Sequence, residues 1–344
     1  MAGDPPLVIG NLDCEARWHG AVLPRRVLEH ISAAATLMRY LFDEPIELWT
    51  PAAVDPTRLT QLAGAPALTL RTGARPTTAA GAWGAFCDRA RAPLVRDRYR
   101  VTSPPSIAVA RAVNDRRFAA ALAERLTLAP PGATQVTSID ELRRHLAAGG
   151  AAASETRAWV CKAPLSAAGR DRVLGAGESL SGELERAVAH LLRRFDVVMF
   201  EPWLARVADL GVCAAVREDV VEQRPPHALV TSARGTFLGI ALTPPTLTDA
   251  QRQALTHATA AVGEALRGAG YLGAFTVDAF LYRDAAGAEH LRPLCEVNAR
   301  VSFGWIAAAL AERHGFAELG FSTPPAEATE LIAARPGQIA AWAR

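Results

Sequence analysis

The stretch Trp159-Val-Cys-Lys-Ala-Pro-Leu-Ser-Ala-Ala-Gly-Arg-Asp171 joins an apolar strand pattern to a loop of small residues, with Lys162 at the join. Of the 37 Lys and Arg residues in the 344-residue chain, Lys162 is the one lysine and the other 36 are arginine. A chain that uses arginine wherever either cation serves keeps an ammonium where a compact point charge is needed, as in a crowded polyphosphate site. Ser166, Ala167, Ala168 and Gly169 follow, and the backbone N–H groups of such a loop can wrap phosphate oxygens. The alternative is a lone surface lysine with no role.

Around that loop the pattern predicts a small α+β unit. Ser138 to Leu146 and Glu183 to Phe195 have helical spacing, and Asp196-Val-Val-Met-Phe200 reads as a strand entering Glu201-Pro-Trp-Leu204. The loop would join two strands, with Arg172-Val-Leu174 beginning the return. Asn114-Asp-Arg-Arg-Phe118 opens a helix that Asn114 or Asp115 can cap. Upstream, Leu7-Val-Ile9, Pro45 to Trp49 and Ala67 to Leu70 alternate with helical stretches, which predicts a parallel, Rossmann-like layer. No GxGxxG follows its first strand, so dinucleotide binding there is not expected. Trp18, Trp83 and His19 are candidates to hold a substrate, against a plain packing role for the tryptophans. The turn Thr102-Ser-Pro-Pro-Ser106 marks a boundary. The expected units are 1–103, 104–200 and 201–344, the last mostly antiparallel and containing a long helix, Asp249 to Arg267.

Composition narrows the function classes. The 35 acidic residues nearly balance the 37 basic ones, and no basic block is long enough to track a nucleic-acid backbone. No apolar run reaches membrane-spanning length, and Met1-Ala-Gly-Asp-Pro-Pro lacks the features of a signal peptide. The expectation is a soluble cytoplasmic protein with no nucleic-acid or membrane partner. The 5 cysteines, Cys14, Cys87, Cys161, Cys213 and Cys295, are scattered, with no metal-ligand spacing, and read as reduced thiols.

The chemistry concentrates in Leu272 to Arg300. Alternation along a strand puts Glu296, Asn298 and Arg300 on one face, and a hairpin centred near Gly287 puts Asp278 directly opposite Glu296. Carboxylates so placed repel unless something positive lies between them. Two carboxylates and an amide oxygen are hard ligands suited to Mg²⁺ or Mn²⁺. The alternative is a solvated edge hairpin.

In order and spacing, the Asn-Asp-Arg116 block, the Lys162 strand with its loop, the strand into Glu201, Asp278, and Glu-Val-Asn-Ala-Arg300 together resemble the ATP-grasp superfamily. The resemblance covers residues from about 105 to 305, and the N-terminal unit resembles the pre-ATP-grasp domain that commonly precedes it. It implies ATP held between two α+β subdomains, with Lys162 on the phosphates and Ser166 to Gly169 closing over them. It also implies adenine near Glu201, Pro202, Trp203 and Leu204, and metal on Asp278, Glu296 and Asn298. Arg116 stands where the family usually has a second lysine, and the loop has one glycine where two or more are usual. Glu201 is left between ribose, a substrate amine or neither, and Asp209 is a further nucleotide candidate.

The activity implied is a carboxylate–amine ligase that makes an acylphosphate from ATP and a carboxylate, which an amine then displaces. Arg300 is assigned to the developing acylphosphate charge or to a salt bridge within the site. Arg292 is a second candidate for the substrate carboxylate, ahead of Arg283. The rivals are a kinase on the same scaffold and a nucleotide-binding regulator without turnover. The substrates expected are a small carboxylate and an amine, such as an amino acid or short peptide, and similar ligases are often homodimers.

Overall fold

Sheets rather than helices carry the architecture. The structure is a computed structural model that describes residues 5, 7–74, 105–166, 171–232 and 235–344, together with the backbone of 85–86. The expectations placed on Trp83, Cys87, Ala167, Ala168, Gly169 and the start of the 102–106 turn fall outside the described residues.

In the N-terminal unit, Leu7–Ile9, Ile46–Trp49 and Leu68–Arg71 lie parallel as expected, and Ala85–Phe86 joins the edge antiparallel. Helix Arg25–Ala35 and the 3-10 turn Thr36–Leu41 follow the first strand and the short helix Cys14–Trp18. The alternation fails after the second strand, where only the 3-10 turn Pro56–Arg58 stands. Pro51 and Pro56 lack the backbone donors and the freedom that a longer helix would need there.

The small unit is an antiparallel sheet in the order Thr134–Val136, Val198–Pro202, Ala158–Lys162, Arg172–Ala176. Helices Ile139–Ala147 and Gly182–Phe195 cover it, capped by Ser138 and Ser181. Their apolar faces close over Trp159, Val198 and Phe200. The loop after Lys162 does connect two paired strands, with Lys162 opposite Arg172.

The large sheet runs Glu289–Asn298, Gly273–Arg283, Ala205–Val216, His227–Thr231, Phe237–Ala241, and then three short strands, Glu318–Gly320, Ala341–Ala343 and Thr329–Ile332. One face is sealed by helix Asp249–Gly268 and by Arg116–Arg125, whose Leu122, Val262 and Leu266 pack on Phe275 and Val277. Alternation then turns Thr276, Asp278 and Phe280 to the opposite face.

Helices Ile107–Asn114 and Arg116–Arg125 supply Val113, Ala119 and Leu122 to the core of the large sheet, while Thr134–Pro202 carries the four-stranded sheet and its two helices. Within the expected unit 201–344 the sequence reading assigns no individual helix or strand beyond Arg300, where the structure has helix Phe303–His314 and the three terminal strands. Those strands are three or four residues long and separated by Pro- and Gly-bearing turns, too short for alternation to register. Among the described residues no helix is long and apolar enough to cross a membrane.

Candidate active site

The open face of the large sheet is built in rungs. Glu296 pairs with Asp278, Asp278 with Gly211, and Gly211 with His227. Two residues along, Arg292 pairs with Phe280, Phe280 with Asp209, Asp209 with Leu229, and Leu229 with Ile240. Paired residues project from the same face of a sheet, so each rung is a row of side chains across the floor of the cleft.

The first rung contains the carboxylate pair expected from the sequence, in the expected register; a bulge between Asp278 and Phe280 takes up the difference at the turn. Burial, and then the neighbouring Glu296 charge, push the Asp278 carboxyl up to about 7, against the opposing pull of Arg300 and Asn298. Asn298 Nδ2 donates to Asp278 Oδ2 at 2.9 Å, which leaves the amide oxygen for another partner. Among the described residues no three His, Cys, Asp or Glu side chains cluster as a metal site, so the amide oxygen is what completes a set of three. Two facing carboxylates and an amide oxygen form a hard donor set, and a divalent cation between them would favour the ionised form of Asp278 that burial opposes.

Arg116 reaches the same rung from the helix that begins there. Its guanidinium donates to Glu296 Oε1 at 3.0 Å, to Ala163 O at 2.6 Å and to Ser166 O at 2.9 Å. One side chain thereby ties the metal-ligand candidate Glu296 to the start of the Lys162 loop. Asp115 is the helix cap, accepting from Arg117 N at 2.9 Å. Asn114 instead pins the end of the acidic strand, its Oδ1 accepting from Ala299 N at 2.9 Å and from Arg300 at 2.8 Å.

Lys162 donates to Glu201 Oε2 at 2.6 Å. Glu201 also accepts two bonds from Arg292, at 2.7 and 3.0 Å, so it stands between the small sheet and the large one. Burial works to raise the Glu201 carboxyl, but Arg292 and Lys162 outweigh it and hold the group well below the usual carboxylate range. Lys162 lines the cleft cavity, whereas Glu201 and Arg292 stand behind it. Arg292, a candidate for the substrate carboxylate, is committed to Glu201, and Arg283 is exposed at the strand end.

Arg300 lies beyond the strand, which ends at Asn298, yet it lines the cavity. Its guanidinium pairs with Glu15 Oε1 at 2.9 Å, a contact from the N-terminal unit. Trp18 and His19 do not line the cavity, and His19 packs edge-on against Phe195 at 4.7 Å. Neither do Ser166, Pro202 or Leu204, whereas Trp203 and Asp209 do. Asp209 accepts from Arg206 and from Thr231 Oγ1, both at 2.7 Å. Arg206 lies over the Phe280 ring at 4.1 Å and over Trp203 at 4.9 Å.

The cavity enclosed by these groups measures about 420 Å³. At one end stand Lys162, Arg116, Asp278 and Glu296; at the other are apolar side chains. Sequence reasoning missed Glu15, Arg172, Arg206 and His227. With 36 arginines in the chain no single one stands out, and an isolated His carries no spacing signal.

No family model matches the chain, and no curated protein matches it. Solved structures do. Biotin carboxylase from Campylobacter jejuni, a β-γ-ATP complex, is similar over 86% of this chain and 70% of its own, with 13% identity and a TM-score of 0.52. The biotin carboxylase domain of Hydrogenobacter thermophilus 2-oxoglutarate carboxylase, with MgADP, gives 15% identity over 70% of this chain and 63% of that one, TM-score 0.49. Carboxyaminoimidazole ribonucleotide synthase from Aspergillus clavatus, with ATP, gives 15% over 70% of each, TM-score 0.47. The chain has the ATP-grasp fold.

Proposed function

We propose that the protein is an ATP-dependent carboxylate–amine ligase that works through an acylphosphate and releases ADP and phosphate. The observation that carries this reading is the convergence of Lys162, Arg116 and the Asp278–Glu296 pair on one cavity between two sheets. Lys162 and the Ser166 to Gly169 loop would take the phosphates, and Trp203 and Asp209 the nucleoside end. Asp278, Glu296 and the Asn298 oxygen would hold Mg²⁺, or Mn²⁺ in its place. A bound divalent cation supplies charge neutralisation on the phosphate oxygens.

The chain's own residues do the rest. Lys162 is already held by Glu201 in the direction of the cleft, so a phosphate gains a preoriented ammonium. Arg116 links loop to acid, so seating of the phosphates and of Glu296 are coupled. Arg300, buried and aligned by Glu15 and Asn114, offers a fixed positive field beside the carboxylate strand for charge that develops on the acyl oxygen. Closure by the small unit would keep water from the mixed anhydride. The same proposal places the ligase in the cytoplasm, as a homodimer.

The test is ADP and phosphate release by the purified protein on pairs of amino acids, with and without the amine component. Release that needs both components is the expected result. Release with the carboxylate alone and a stable phosphorylated product would identify a kinase, and ADP binding without turnover on any pair would identify a regulator.

A further inference from the structure

We infer that the inner half of the cavity holds an apolar, aromatic or branched body of the carboxylate substrate, packed against Leu229, Ile240 and the phenylalanines beside them. This rests on the ligase reading and names the substrate class that the reading leaves open.

The floor changes character along each rung. From Glu296 and Asp278 the first rung passes over Gly211, which has no side chain, to His227. A Cβ at Gly211 would lie 2.4 Å from His227 Nε2, so that nitrogen sits over the glycine, on the side of Asp278. With strands about 4.8 Å apart, the two-strand span is roughly 10 Å, room for a small acid lying from the metal-ligand candidates to the imidazole. The second rung ends in Leu229 and Ile240. Phe237, Phe303 and Phe321 pack together beside them, with centroids 4.7–5.9 Å apart, and Ile31 faces them from the N-terminal unit.

His227 is 3% exposed, and its ring is wedged between Gly211 and Gly304, where a Cβ at either would lie within 2.7 Å of Nε2, so the ring closes the floor of the chamber. Burial pushes the imidazole down to about 4, so it is neutral at ordinary pH and adds no charge to the chamber. The charged groups nearby are engaged: Asp209 by Arg206 and Thr231, Arg300 by Glu15 and Asn114. An acidic or basic side chain would find no free counter-charge at this end, whereas an apolar one removes its own surface from water.

The experiment is calorimetric titration of the full chain with L-phenylalanine, L-leucine, L-glutamate and L-aspartate in the presence of MgADP, and with MgADP alone. The apolar acids should bind at least about tenfold more tightly than the acidic ones, the scale of one good contact. Leu229→Arg should reverse that order while ADP affinity stays unchanged. Equal or reversed preference in the wild type would overturn the inference. So would competition between phenylalanine and ADP, since the chamber would then be the base pocket. If ADP binds and none of the acids does, the chamber assignment fails and the ligase reading survives. If phenylalanine binds and ADP does not, the reverse holds.

Discussion

Lys162 and Glu201 are diagonal neighbours on adjacent strands of the small sheet, Nζ to Oε2 at 2.6 Å, and Arg292 of the large sheet closes on the same carboxylate from the other side. One buried anion is therefore shared by two cations from two sheets. Removing it leaves both cations uncompensated, which is costlier than the pair's own net worth.

Glu201→Gln should lower unfolding free energy by roughly 3–5 kcal/mol, read by urea melts at neutral pH. The folded carboxyl lies below its ordinary value of 4.5, so its contribution is complete above that pH and drains as pH falls below it. The wild type should lose stability on acidification through this range, and the difference from Glu201→Gln should narrow. A pH-independent difference would assign the effect to packing.

Lys162→Ala and Glu296→Ala should each cut ATP turnover by at least about 10²–10³, the usual loss when one transition-state charge partner is removed. Circular dichroism spectra should stay native, since Lys162 lies at a strand end and Glu296 is half-exposed at the cleft. Near-native rates in either variant would withdraw that residue from the site.

His227 gives a separate pH signature. Its folded pKa, about 4, lies below the unfolded 6.5, so the folded state resists protonation. Stability is full above pH 6.5 and falls toward pH 4, by roughly 3 kcal/mol for a shift of that size. His227→Phe should flatten that part of the stability curve. An unchanged slope would mean that the ring is hydrated.

The Asp278–Glu296 pair was legible from letters alone because a hairpin fixes its own register: turn position and alternation decide which residues meet. The place of Lys162 at the cavity was legible because one lysine among arginines is a compositional signal. The Arg292–Glu201 and Arg300–Glu15 ties were not, since they join elements far apart in the chain, 91 residues in the first case, and any arginine was an equal candidate. The apolar chamber was also invisible. Its walls come from Ile31, Leu229, Phe237, Phe303 and Phe321, and nothing local to any one of them hints that the others converge.

The rung construction separates two inheritances within a single slab. Under the proposed assignment the candidate metal ligands occupy the outer strands and the apolar chamber the inner ones, so single substitutions at Leu229 or Phe237 would change the chamber and leave Asp278 and Glu296 in place. Gly211 lies at the crossing between them, and a Cβ there would lie 2.4 Å from His227 Nε2, so any side chain at that position would displace the ring that floors the inner compartment.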